Sequence, residues 1–135
     1  MATVSLYVER YAYPRLTAKV DVPATIVGSL AIHRTLFWGS GEFPPAPSKK
    51  GNWRVSHIAT GMQACPPDVA NWLEGLKRAQ VVEFATLWQS ESPEFFAACD
   101  KLTRETLSDA MQGEELRALA RDAIDTARNI MGESV

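Results

Sequence analysis

His33 and His57 are the only two histidines in a chain of 135 residues, and acid–base or metal chemistry would have to start from them. Imidazole titrates near neutral pH and ligates zinc, so a pair on neighbouring strands could share a proton or an ion. Strand parity argues against it. Alternation sets Ile32, not His33, with the larger aliphatic residues, whereas His57 falls on one face with Trp53 and Val55. If both strands bury those faces, the imidazoles point to opposite sides of the sheet. A third ligand is missing as well. The expectation is that His57 is a hydrogen-bonded residue at the core edge, with no metal and no cofactor. A small metal-dependent enzyme using His33 and His57 is the third-ranked reading of function.

The other reactive groups give no catalytic residue. Cys65 precedes Pro66, and a helix starting there would lower a thiol pKa, but proline removes backbone donors at that same end. Cys65 and Cys99 form no CxxC pair, and reduced thiols are expected of both. Whether they lie close together stays open. Gly39-Ser40-Gly41 could cradle a phosphate only with a preceding strand, a fixed glycine spacing and a following helix, and here Pro44, Pro45 and Pro47 follow instead. No GxSxG elbow, HExxH helix, Walker lysine or calcium loop occurs.

The elements that would position these groups divide the chain in two. Val4, Leu6 and Val8 alternate with Ser5, Tyr7 and Glu9, which predicts a half-buried strand. Leu16, Ala18, Val20 and Val22 repeat the pattern as its hairpin partner, with Pro23 marking an end or a bulge. Thr25 to Phe37 reads as one further strand, with Ile26, Leu30 and Ile32 on one face and Val27, Ala31 and His33 on the other. Gly28 inside it suggests a bulge or a close backbone approach. Gly39 to Asn52 is rich in Gly, Pro and Ser and reads as a loop without regular structure. Loops of that length are usually functional or disordered. Trp53 to His57 then returns beside the third strand, which gives a four-stranded antiparallel meander.

From Pro66 the period changes to that of a helix. Val69, Trp72, Leu73 and Leu76 form an apolar stripe that should bury against the sheet, and it extends through Phe84, Leu87 and Trp88. One helix or two over residues 67–89 both fit, with a break near Ala79-Gln80 in the second case. Ser92-Pro93-Glu94 signals a helix start with a serine cap, lined by Phe95, Cys99 and Leu102 and stopping near Gly113. A last helix runs from Glu114, with Leu116, Leu119, Ala120, Ala123, Ala127 and Ile130 on one face and Ile124 at its edge. The expected fold is α+β in a single domain, 1–135. An N-terminal antiparallel sheet of about four strands (1–65) packs on three or four C-terminal helices (66–135).

Composition narrows the class further. Apolar residues make up 46% and charged residues 22%, which is globular rather than disordered. No stretch approaches the roughly 18 apolar residues of a membrane span. The start Met1-Ala-Thr-Val-Ser-Leu lacks the basic and apolar regions of a signal peptide, so a cytoplasmic protein without membrane contact is expected. The net charge of −2 hides an asymmetry. Residues 1–65 hold seven Lys/Arg against three Asp/Glu, and residues 66–135 hold seven against thirteen.

That basic, aromatic N-terminal half raises single-stranded nucleic acid as a partner. Tyr7, Tyr11, Tyr13 and Trp38 stand among Arg10, Arg15, Lys49, Lys50 and Arg54, as stacking platforms stand in basic grooves. Against it, the RRM signature is absent and the pI is near 5.7. A protein partner ranks first. Trp38 and Phe43 have no place in the period-two pattern, and with Lys49, Lys50 and Arg54 they supply the residue types that binding hot spots prefer. The alternative for Trp38 and Phe43 is that they fold back over the sheet edge and cover it.

The run Trp53-Arg-Val-Ser-His-Ile-Ala-Thr-Gly61, W-x-V-S-H-x-x-T-G, resembles a strand-and-turn segment of small phage and mobile-element proteins. Over those nine residues the resemblance implies a host-manipulating role, such as inhibition of a CRISPR complex or another defence system. It transfers no catalytic residue.

Overall fold

The computed structural model describes residues 2–10, 16–37, 43, 45–47, 51–61, 67–101 and 114–134. The architecture is α+β as expected: β1 (Ala2–Arg10), β2 (Leu16–Val27), β3 (Leu30–Arg34) and β6 (Trp53–His57) form a four-stranded sheet in the order β1-β2-β3-β6, every pair antiparallel. Among the described residues four helices follow, α1 (Pro67–Leu73), α2 (Arg78–Glu91), α3 (Pro93–Cys99) and α4 (Glu114–Ser134).

The sheet carries an apolar cluster on each face. Leu30, Ile32 and Val55 face the helices and meet Val69, Leu73, Val81, Phe84, Trp88, Phe95, Ile124 and Met131. Val4, Leu6, Val8, Val20, Val22 and Ala24 gather with Ala31 in a second cluster, whose partly buried members include Leu36 and Phe43. Ala31 and Ile32 are adjacent on β3, and adjacent strand residues project to opposite faces, so the clusters lie on opposite sides. The long β2 connects them, pairing with β1 from Leu16 to Ala24 and with β3 from Thr25 to Val27. Beyond β6 the chain returns to the outer edge of β1, where the Tyr7 N–H donates to the Gly61 carbonyl at 2.8 Å. That contact curls the sheet around its second core.

The expected strand over Thr25–Phe37 is corrected. A two-residue turn at Gly28-Ser29 divides it, with Gly28 at φ 58°, a backbone that glycine adopts without steric cost. Val27 therefore pairs with Leu30 and Ile26 with Ala31. The turn swaps the expected faces: Val27 joins the helix-side core, and Ile26 is left 44% exposed. Pro23 does not end β2. It stands opposite Thr3, four residues from Tyr7, whose N–H turns away from β2. Opposed pairs alternate between bonded and non-bonded, so Thr3–Pro23 is a non-bonded pair and the missing donor costs the β1–β2 ladder nothing.

The segment between β3 and β6 is also more regular than a plain loop. Leu36–Phe37 (β4) pairs with Ala46–Pro47 (β5) in a two-stranded ladder. A short ladder survives the prolines because Pro47 is a terminal strand residue, where a missing donor is tolerated.

In the helical half, residues 67–89 form two helices. Glu74, Gly75 and Leu76 donate to the carbonyls of Asn71, Trp72 and Leu73, three residues back, which tightens and closes α1. The break thus falls at Glu74–Lys77, ahead of Ala79-Gln80, and the Gln80 side chain accepts from the Lys77 N–H at 2.9 Å to start α2. Ser92 and Pro93 do open α3, but Ser92 makes no side-chain cap bond. Leu102 and Gly113 lie outside the described residues. On α4 the buried face is Ala123, Ile124, Ala127 and Met131, with Ile130 at 40% exposure. The stripe is rotated from the expected one, because Ile124 and Met131, seven apart, form its centre in place of Ala123 and Ile130.

Five rings tie the helical layer together. Trp72 meets Phe84 edge-on at 5.3 Å, Trp88 stacks with Phe84 at 5.9 Å and with Phe95 at 6.0 Å, and Phe96 stands edge-on to Trp88 at 4.9 Å. Such pairs add roughly 0.5–1.5 kcal/mol each beyond their area. They fix α1, α2 and α3 against one another and so hold the end of α3 beside the sheet. No helix among the described residues is long and apolar enough to cross a membrane.

Candidate functional site

Both histidines are buried, at 4% and 3% exposure for His33 and His57, and each stands between a hydroxyl and an acceptor. The β3–β6 register sets His33 opposite Arg54 and His57 opposite Leu30, so the imidazoles lie on opposite faces, as their parity in the sequence implies. One metal ion cannot be shared across the sheet. Among the described residues no group of three or more His, Cys, Asp or Glu is placed to hold one.

On the second-core face, His33 Nδ1 is 2.8 Å from the Arg34 carbonyl and Nε2 is 2.7 Å from Ser56 Oγ. A carbonyl only accepts, so Nδ1 carries the proton, Nε2 is bare and Ser56 donates to it. Burial holds this imidazole below its ordinary pKa of 6.5. The Arg34 carbonyl bond opposes that shift and the Arg54 guanidinium adds to it.

On the helix face, His57 Nε2 lies 2.7 Å from Asp100 Oδ1 and Nδ1 lies 3.0 Å from Thr60 Oγ1. The carboxylate oxygen accepts from Nε2, and Nδ1 shares its hydrogen bond with the Thr60 hydroxyl, which can donate or accept. Asp100 Oδ2 accepts in turn from Ser29 Oγ at 2.7 Å. The Ser29 N–H donates to Gln89 Oε1 at 2.8 Å, and Gln89 Nε2 donates to the Val27 carbonyl at 2.6 Å. This network joins the end of β6, the β2–β3 turn, the end of α3 and the last turns of α2. It also explains Gly28: a Cβ there would collide with Gln89 Oε1.

A hydroxyl, an imidazole and an orienting acceptor are the parts of a nucleophile–base pair. A nucleophile must also meet its substrate, and here the hydroxyls are the buried ends. Ser56 is 5% and Thr60 9% exposed, whereas the Asp100 side chain, at the far end of its chain, is 44% exposed. In the Thr60–His57–Asp100 chain the order is the reverse of a working triad, and in both chains the contacts satisfy buried polar groups. Cys99 is equally quiet: burial pushes its thiol up to about 11, with Asp100 adding to the shift.

Of the residues expected to meet a partner, Phe43 and Arg54 are described, while Trp38, Lys49 and Lys50, like Cys65 and Gly39-Ser40-Gly41, lie outside the described residues. Phe43 is half-buried against the second core. Arg54 spends its guanidinium inside the chain, donating to the Ala70 carbonyl and to Glu74 Oε1, both at 2.9 Å. Arg34 does likewise, donating to the Gly51 carbonyl at 2.8 Å with its guanidinium 4.3 Å over the Trp53 ring. Of the cations that made the sheet half look like a nucleic-acid groove, Arg54 is thus engaged internally. Residue spacing in the sequence could not reveal the His57–Asp100–Ser29 network, whose members are 43 and 71 positions apart.

Comparison with protein families, with curated proteins and with solved structures finds no match to this chain.

Proposed function

We propose that this chain is a non-enzymatic protein-binding module of the cytoplasm, with the segment from Trp38 to Asn52 as its docking surface. What carries the reading is how that segment is held. The β4–β5 ladder pairs Leu36–Phe37 with Ala46–Pro47, and Phe43 packs half-buried against the second core. At the far end of the segment Thr35 donates to the Asn52 carbonyl at 2.8 Å. Anchors at Phe43, at the β4–β5 ladder and at Asn52 lower the ordering cost of binding, which favours affinity. Trp38, Lys49 and Lys50 are the direct contacts in this reading, Phe43 supports them, and Arg54 sets the neighbouring α1. The resemblance of Trp53–Gly61 to phage and mobile-element proteins supports a narrower version, in which the partner belongs to a host defence complex such as CRISPR.

An affinity pull-down from the native host, followed by mass spectrometry, tests the proposal. It predicts a protein recovered in stoichiometric amount and lost in the Trp38→Ala variant. Salt-sensitive retention of single-stranded oligonucleotide, with no protein recovered, would replace it with the nucleic-acid reading.

A further inference from the structure

We draw no further inference here: the strongest candidate, the open cleft of about 480 Å3 between α1 and α4 where Arg128 lies over Trp72 beside Asp125 and Asn129, carries nothing, because its carboxylate is already paired with Arg121 and nothing in the structure shows what would fill it.

Discussion

His57 donates from Nε2 to Asp100 Oδ1 across 2.7 Å and so joins the last residue of β6 to the residue that closes α3. The bond links a side chain almost wholly inside to one that is nearly half outside. The expectation is that this bond depends on an acceptor at Asp100 more than on a charge there. Asp100→Asn keeps a carbonyl oxygen within reach of Nε2, whereas Asp100→Leu leaves a buried N–H unmatched. The leucine variant should lose about 1–2 kcal/mol, a buried-donor cost reduced for the exposure of the carboxylate. Urea unfolding of both variants checks this, and equal losses would mean that charge, not acceptor geometry, sets the tie.

Acid should weaken the fold through His33. Its folded pKa lies below the unfolded value near 6.5, so the unfolded chain takes up the proton first as the pH falls. The contribution of His33 is therefore fully present above about pH 6.5 and is lost as the pH drops from there through the folded value. Stability measured between pH 8 and pH 5 should decline over that window, and His33→Gln should flatten the decline. A His33→Gln variant with the same slope as the parent would assign the acid sensitivity elsewhere.

Leu73 is 1% exposed in the helix-side core. Leu73→Ala should cost about 2–5 kcal/mol, the range for large-to-small core changes. Thermal melting reads this directly, and an unchanged midpoint would be inconsistent with α1 packing on the sheet.

Two glycines should respond differently to a methyl group. A Cβ at Gly61, which has φ 69°, would stand 2.9 Å from the Ser5 carbonyl oxygen and 3.0 Å from the Tyr7 nitrogen, backbone atoms that cannot swing aside. Gly61→Ala should cost about 1–3 kcal/mol from conformation alone, and more from displacing β1. At Gly28, with φ 58°, the steric obstacle is a side-chain end, Gln89 Oε1, rather than backbone, so Gly28→Ala should be partly rescued by Gln89→Ala. Absence of that rescue would place the cost in the turn backbone.

How far the sequence revealed this fold follows from where its signals are local. Val4, Leu6 and Val8 alternate, and burial follows them; Ser92-Pro93 marks the start of α3 because a helix start is written in adjacent residues. The opposite faces of His33 and His57 were legible for the same reason, since parity is a local property. Gly28-Ser29 was ambiguous, because a glycine within a β-favouring run fits a bulge as well as a turn, and the choice between them inverts Ile26 and Val27. The closure of Gly61 onto Tyr7 and the Asp100 tie join distant segments and leave no periodic trace. On α4 the stripe was recognisable, but Ala123 and Ala127 beside Ile124 drew the expected face toward the alanines and left Ile124 at its edge, whereas burial centres on Ile124 and Met131.

The claim that the Trp38–Asn52 segment binds a protein is tested most directly by measuring partner affinity and melting temperature together. The variant for this carries Trp38→Ala, Lys49→Glu and Lys50→Glu. Residues that only contact a partner contribute little to stability, so the account predicts at least about a tenfold weaker association, equivalent to about 1.4 kcal/mol, at an unchanged melting temperature. A melting temperature that falls while affinity is retained in the folded fraction would contradict it, and would make the segment a cover for the sheet.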